Sequence, residues 1–218
     1  METVLVACKT LEDELSAAKQ ATGTNYETVW IESGLHDVPN KLTARLIEVL
    51  GCISADRVLL AMGFCGNSVQ GIRAGSYELI IPRVDDCISL LLGSIEARAK
   101  VSDEYAAYFL TEGWMRGERN LWVEYQYTFD KYGEEKALHI AEMMFGHYRT
   151  LGLLDTGIAP IEPLVESTRI IAETLKLEQK IIPASVGYLE LLLTGPWPAD
   201  KFLVKSPGEE ITLKDLLF

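Results

Sequence analysis

Short runs rich in Val, Ile and Leu alternate along this chain with segments of helix length that combine apolar and charged residues. Such alternation is typical of βαβ units, in which parallel strands form one sheet and the helices between them cover its faces. We therefore predict an α/β fold, a single Rossmann-like three-layer domain with a mainly parallel sheet of about six or seven strands. The predicted strands are Thr3–Ala7, Thr28–Ile31, Arg57–Met62, Glu78–Ile81, Ala107–Leu110, Leu151–Leu154 and Lys180–Pro183.

Helices are predicted between these strands. An acidic first turn, which complements the helix dipole, marks the helix at Thr10–Gln20. Gly133 is expected to divide the long helical stretch Leu121–Tyr148, since glycine costs about 1 kcal/mol relative to alanine inside a helix. Gly93 is interpreted as a site of close packing. The other predicted helices are Asn40–Leu50, Asp86–Ala99, Pro163–Leu175 and Val186–Leu193.

The chain is expected to form one domain over residues 1–218. Within it, residues 195–218 are predicted to be an irregular C-terminal tail that covers a sheet edge or mediates self-association. A homodimer is the default expectation for the oligomeric state, because two-fold dimers are the commonest symmetric assembly.

Composition and charge narrow the class of function. The chain has 218 residues, 48% of them hydrophobic, and a formal net charge of −12, so nucleic acid and anionic lipid would be repelled at long range. No basic segment or cleavage signal precedes the first apolar run, and no apolar stretch approaches the roughly 20 residues that span a bilayer. We expect a cytoplasmic protein without nucleic-acid or membrane partners. Its four cysteines are predicted to be free thiols, metal ligands or catalytic groups rather than disulfides.

Four residues of the metal-ligand type follow the ends of apolar runs: Cys8 after VLVA, His36 beyond VWI, Cys65 beyond VLLAM and Cys87 beyond LIIP. Because the carboxyl ends of parallel strands meet at one edge of a sheet, we expect these side chains to converge. Thiolates with imidazole suit zinc, and thiolates alone suit an iron–sulfur cluster, so the sequence predicts a metal site. The alternative is that the cysteines are small buried hydrophobes, as we expect for Cys52 at a helix end.

Polar residues near these positions are candidates for binding a substrate. Glu32 stands directly at the end of the second strand, and Arg83 and Asp86 share the turn after the fourth. A carboxylate there can orient a metal-bound histidine, and Arg83 can hold an anionic substrate or pair with an aspartate. Thr111 and Trp114 follow the fifth strand. The alternative role of Asp86 and Thr111 is helix capping.

A second group of candidate ligands, His139, Met143 and His147, recurs at every fourth position of one predicted helix. A metal or haem site is one interpretation. However, a Met and aromatic stripe at this period is what an amphipathic helix buries, and the HExxH spacing is absent. We therefore expect these residues to pack against the core.

Six segments, in order and over most of the chain, carry a resemblance to a known family: ACKTLEDEL around Cys8, GLHDVP around His36, GFCGN around Cys65, DDCISLLLGS around Cys87, YFLTEGW around Trp114 and FGHYRTLGLLDTG around Tyr148 and Arg149. The chain resembles the family called domain of unknown function 1638. The resemblance implies that Cys8, His36, Cys65 and Cys87 share one site. Because many genes of that family lie near corrinoid-dependent methyltransferases, it also implies a role in one-carbon or methyl transfer.

Three hypotheses of function follow. In the first, zinc or an iron–sulfur cluster acts on a small thiol, a methyl donor or a corrinoid, and the protein is a methyltransferase or its accessory. In the second, the same site carries a small ligand, a metal or a corrinoid for a corrinoid protein or methyltransferase partner, without catalysis. In the third, the cysteines are core residues and function lies in an interface.

Overall fold

The computed structural model describes residues 2–217, apart from the side chain of Asp37. The strands in this part of the chain are β1 Thr3–Cys8, β2 Glu27–Ile31, β3 Arg57–Ala61, β4 Glu78–Pro82, β5 Ala107–Leu110, β6 Thr150–Asp155, β7 Glu178–Pro183 and β8 Phe202–Lys205. All seven predicted strands are present. The additional strand, β8, lies in the segment predicted to be an irregular tail.

The helices are α1 Glu12–Thr22, α2 Pro39–Cys52, α3 Cys87–Leu92, α4 Ile95–Tyr105, α5 Glu112–Met115, α6 Leu121–Tyr132, α7 Glu134–Phe145, α8 Glu162–Leu175 and α9 Gly187–Thr194. Short 3-10 turns occupy Lys9–Leu11, Ser33–Asp37 and Leu213–Leu216. Gly133 divides α6 from α7, as predicted.

The helix predicted at Asp86–Ala99 is in fact two helices. Gly93 ends α3 with a φ of +92°, and the Ser94 hydroxyl then accepts a hydrogen bond from the backbone N–H of Ala97 at the start of α4. Nothing lies within 4 Å of a Cβ atom built on Gly93, so the expectation that this glycine allows close packing is wrong. Its role is the left-handed turn that ends a helix.

The first sheet has the strand order β2-β1-β3-β4-β8. The strands β1 to β4 are parallel, and β8 pairs antiparallel with β4 from Leu79↔Lys205 to Pro82↔Phe202. The strand order reverses between β1 and β3, which is where open parallel sheets form a crevice for ligands. The tail thus covers the outer edge of β4, an edge that would otherwise expose unpaired backbone groups.

The second sheet has the order β5-β6-β7, all parallel. The α/β class is therefore confirmed, but the strands form two sheets, whereas the prediction was a single mainly parallel sheet. The physical reason is that β8 occupies the β4 edge on which β5 would have extended the first sheet. β5 pairs with β6 instead.

One hydrophobic cluster connects the two sheets, because it contains Leu5 and Ile80 of the first sheet and Phe109 of the second. The chain segments after β1 and β5 also meet closely. A Cβ atom at Gly113 would lie 2.0 Å from the carbonyl oxygen of Thr10. Within residues 2–217, every helix is too short or too polar to cross a membrane.

Candidate functional site

A cavity of about 700 Å³ lies at the carboxyl ends of the first sheet's parallel strands. Residues of α4, β5 and α5 complete its wall. All four predicted metal-ligand residues line it, namely Cys8, His36, Cys65 and Cys87. A cavity of this volume is within the range found for sites that bind small molecules.

The turn that carries Cys65 has an unusual backbone. Cys65, Gly66 and Asn67 have φ values of +43°, +66° and +66°, and a positive φ is uncommon for a residue with a side chain. Two hydrogen bonds hold this turn against the segment after β4: Phe64 N–H donates to Val84 O at 2.8 Å, and Cys65 N–H donates to Asp85 O at 2.7 Å. Strained backbone of this kind persists only where surrounding contacts enforce it, and it is concentrated at functional sites.

The thiols of Cys8, Cys65 and Cys87 form one cluster at this cavity. The thiol of Cys87 interacts with those of both other cysteines, and the Sγ of Cys8 lies 3.1 Å from the hydroxyl of Thr10. Cys8 and Cys87 are only 6% and 4% exposed, whereas Cys65 is half-buried. The hydrogen bond to Cys87, together with burial, raises the pKa of the Cys8 thiol well above its ordinary value. The hydrogen bond to Cys65 and burial likewise raise the pKa of Cys87.

His36 lies in the 3-10 turn after β2, on the wall of the same cavity. Its Nδ1 is hydrogen-bonded to the carbonyl oxygen of Ser33. As the donor in this bond, Nδ1 carries the proton, and the lone pair of the neutral ring is then on Nε2. A backbone carbonyl on one ring nitrogen is the usual way in which proteins orient a histidine that binds metal through the other. Glu32, the neighbouring candidate, lies on the cavity wall and pairs with Arg45 at 3.3 Å.

Two aspartates and an arginine form a charged part of the wall. Asp86 caps α3 by accepting a hydrogen bond from the Ser89 N–H at 2.9 Å, which confirms its predicted capping role. Arg98 pairs with Asp86 at 3.0 Å and with Asp85 at 3.5 Å. Burial raises the pKa of Asp86, against the opposing effects of the Ser89 hydrogen bond and of Arg98. This carboxylate therefore has both a structural partner and a place in the cavity.

Aromatic side chains form another part of the wall. Trp114 of α5 lines the cavity together with Tyr108 and Tyr148, whose rings meet edge to face with centroids 5.4 Å apart. His147 also lines it, with its ring centroid 4.0 Å from that of Tyr148. Such a wall can hold the apolar or planar body of a ligand, while the sulfurs and His36 contact its reactive part.

Two of the predicted substrate-binding residues do not line this cavity. The Nη1 of Arg83 donates to the backbone oxygen of Asp215 at 2.9 Å, so it holds the C-terminal segment. The hydroxyl of Thr111 caps α5 by accepting from the Trp114 N–H at 3.3 Å, and Thr111 lines a separate cavity. Glu32, Asp86 and Trp114 are brought together in the main cavity.

Sequence reasoning missed Arg98, Tyr108 and Tyr148. Tyr108 lies in β5 between the buried residues Ala107 and Phe109, and this alternation is the signal that could have identified it. The sequence offers no comparable signal for Arg98. It lies in α4, a separate helix that begins after Gly93 ends α3, where the sequence predicts one continuous helix.

His139, Met143 and His147 were expected to pack against the core, and this prediction is wrong for His139 and Met143. Both side chains are exposed, Met143 to 67% of its area. His147 lies beyond the end of α7, exposed but on the cavity wall. Part of the apolar face of α7 is therefore exposed to solvent rather than buried.

Among the described residues, no group of three or more His, Cys, Asp or Glu side chains is arranged to hold a metal ion. The three cysteines nevertheless lie together on the wall of one cavity. This arrangement has two chemical capacities: to bind a thiophilic metal once the protons are lost, and to react as thiols with a ligand in the cavity.

A family model described as protein of unknown function (DUF1638) matches residues 30–193 of the chain. The matched span includes His36, Cys65 and Cys87 and begins after Cys8. Comparisons with curated proteins and with solved structures found no match to the chain. The family description gives no activity, so an assignment of function depends on the chemistry of the cavity.

Proposed function

We propose that this chain, which belongs to the DUF1638 family of proteins of unknown function, binds a metal through Cys8, Cys65 and Cys87 and presents it to a small molecule in the adjoining cavity. The observation that carries the proposal is the thiol cluster. Three cysteines from the ends of three adjacent parallel strands interact through Cys87, beside the cavity of about 700 Å³.

The backbone of Cys65 argues against a role as an incidental small hydrophobe. A left-handed residue with a side chain costs roughly 1–2 kcal/mol relative to its usual conformation. Glycine would avoid this cost at position 65, and glycine already stands at 63 and 66 in the same turn. The backbone at position 65 thus favours glycine, and the presence of a cysteine there indicates a role for its sulfur.

Zinc is the metal that the donor set favours when His36 takes part. Thiolates with one imidazole are a usual zinc donor set, and the hydrogen bond from Nδ1 to the Ser33 carbonyl orients the ring for binding through Nε2. An iron–sulfur cluster is the alternative when the sulfurs of Cys8, Cys65 and Cys87 act without the histidine. The two centres differ in colour and in metal content, and so one experiment separates them.

Metal binding here requires the loss of thiol protons. The raised pKa values of Cys8 and Cys87 mean that the metal must displace protons that these two thiols retain at neutral pH. It also requires the side chains to reorient, because their present arrangement is not that of a metal site. We expect affinity to increase with pH in consequence.

The ligand that this site would act on is a small molecule with a sulfur or other soft group and an apolar or planar body. A thiophilic metal binds and activates the soft group, and Tyr108, Trp114 and Tyr148 contact the remainder. Small thiols, methyl donors and corrinoids meet this description, and methyl transfer is the reaction class that we propose for an active enzyme.

The test is elemental analysis combined with an absorption spectrum on protein purified without oxygen. We expect about one zinc per chain, or a brown iron–sulfur chromophore, in the unaltered protein. Cys87→Ser and Cys65→Ser should lose the metal while circular dichroism shows a folded chain. Cys52→Ser is the matched control, because Cys52 is exposed and lies outside the cluster.

Full metal content in Cys65→Ser and Cys87→Ser would contradict the proposal. Colourless, metal-free protein from metal-replete anaerobic growth would contradict it as well, provided that added zinc also fails to bind. Loss of metal in all the variants, Cys52→Ser included, would place the metal elsewhere.

A further inference from the structure

A second cavity lies between α1 and the carboxyl ends of β5 and β6. Its volume is about 290 Å³, near the lower end of the range for ligand sites. Four carboxylate residues line it, namely Asp13, Glu14, Glu112 and Asp155. Neither Lys nor Arg is among its lining residues in the described part of the chain.

Glu14 is the feature that points to a ligand. Its side chain is 3% exposed, and its Oε2 atom is buried without a hydrogen-bond partner. A buried, unpaired carboxylate oxygen is expensive, because it loses its hydration without gaining a protein partner. Burial raises the pKa of Glu14 to about 7, so a substantial fraction of these side chains would be charged near neutral pH.

The charged groups near Glu14 do not supply the hydrogen bond that its Oε2 lacks. Asp13 repels its charge, and Arg116 offsets this repulsion only in part. The Nη2 of Arg116 is already paired with the Oδ2 of Asp13 at 2.6 Å. Glu112 and Asp155 are further carboxylate residues that line the same cavity. The cavity therefore favours a ligand that brings positive charge and a hydrogen-bond donor.

We propose that this second cavity binds a small organic cation, whose ammonium group pairs with the carboxylate of Glu14 once the buried Oε2 turns toward the cavity. The polar groups of Thr111 and Thr156 line the same cavity, and Leu154, Ile158 and Ile161 provide apolar contacts for the carbon skeleton.

This site is distinct from the thiol cluster and does not depend on the proposed metal. The helix α5 contributes to both cavities through different residues: Trp114 lines the first, and Glu112 lines the second. Between the cavities, Gly113 lies directly against Thr10, as described above. Cations at the second site and metal at the first can thus be measured separately.

The test is isothermal titration calorimetry of the full chain with n-butylammonium chloride near pH 8, with n-butanol and sodium chloride as neutral and ionic controls. We expect saturable binding of n-butylammonium only, weakened about tenfold or more in Glu14→Gln, which keeps the shape of the side chain but removes its charge. Glu12→Gln is the matched control on the same helix, because Glu12 pairs with Lys9 outside the cavity. Binding should also weaken about tenfold or more near pH 5.5, where Glu14 is protonated.

Three outcomes would overturn the proposal. The first is equal affinity of the unaltered protein and Glu14→Gln for n-butylammonium. The second is no heat beyond that of sodium chloride. The third is binding of magnesium chloride, abolished in Glu14→Gln, without binding of n-butylammonium, which would make this a metal site instead.

Discussion

Gly63 lies directly against the backbone of Asp86, so that a Cβ atom at position 63 would be 2.6 Å from both the N and the Cα of Asp86. The contact joins the turn after β3 to the turn after β4. It acts together with the backbone hydrogen bonds from Phe64 and Cys65 to the segment after β4. The position of Cys65 beside Cys87 therefore depends on the absence of a side chain at residue 63.

The first prediction is that Gly63→Ala destabilises the fold and disturbs the thiol cluster. A methyl group cannot fit against the Asp86 backbone, and overpacking of this kind costs about 1–3 kcal/mol. Urea unfolding followed by circular dichroism measures the change. The control is Gly51→Ala in α2, where nothing lies within 4 Å of an added Cβ atom and alanine is the better helix former. Equal stabilities of Gly63→Ala and the unaltered protein would show that the two turns are not tightly joined.

The second prediction concerns the strained residue of the site. Cys65→Gly should raise the free energy of unfolding by about 0.5–1 kcal/mol, because glycine adopts a positive φ without steric cost. The same change should abolish metal binding, since it removes the sulfur. Thermal unfolding and elemental analysis of one preparation measure both effects. A stabilised variant that keeps its metal would separate Cys65 from the proposed centre.

The third prediction is an order of thiol reactivity in the folded, metal-free protein. Iodoacetamide should modify exposed Cys52 first and half-buried Cys65 second, whereas Cys8 and Cys87 should react only on unfolding. Burial blocks access to the last two, and their raised pKa values keep them as unreactive thiols. Peptide mass spectrometry over time measures the order. Zinc should then protect Cys65 and leave the rate at Cys52 unchanged.

Local sequence patterns were sufficient to predict the strands of this fold, but not how they pair. The predicted strand Ala107–Leu110 matches β5 at both ends, because an apolar run between turns is a local feature. Which strand pairs with β5 depends instead on strands far away in sequence that pair with the same sheet edges. β8 lies more than a hundred residues after β4 in sequence, and its FLVK segment is short. No local pattern shows that such a segment takes the β4 edge and so separates the two sheets.

The residues of the candidate site likewise include some that the sequence could predict and some that it could not. Cys8, His36, Cys65 and Cys87 could be assigned to one cavity because strand ends share an edge, which is a rule of topology. Arg83 follows a strand end too, yet it contacts the backbone of Asp215 in the C-terminal segment. The sequence shows Glu14 only as part of the acidic first turn of a helix, whereas in the structure it shares a cavity with the end of β6 and the loop that follows. Burial by a distant element leaves no pattern around the residue itself.

The last prediction is a pH dependence of stability that Glu14 causes. Its pKa is about 7 in the folded chain and 4.5 in the reference state, so the folded chain retains a proton that the unfolded chain has lost between these pH values. Stability from this group is therefore complete below about pH 4.5, falls as the pH rises to about 7, and is constant above that. At 1.36 kcal/mol per pKa unit, the loss is about 3 kcal/mol.

Glu14→Gln removes this loss, because the amide stays neutral throughout. Urea unfolding should give nearly equal stabilities for the variant and the unaltered protein near pH 4.5, and a variant more stable by about 3 kcal/mol near pH 8. Glu12→Gln, on the exposed side of the same helix turn, should show no such divergence, since its carboxylate pairs with Lys9 in solvent. A stability difference between Glu14→Gln and the unaltered protein that does not change with pH would mean that Glu14 ionises normally in the folded chain. Saturating n-butylammonium should reduce the difference near pH 8, because a bound cation stabilises only the charged carboxylate of the unaltered protein.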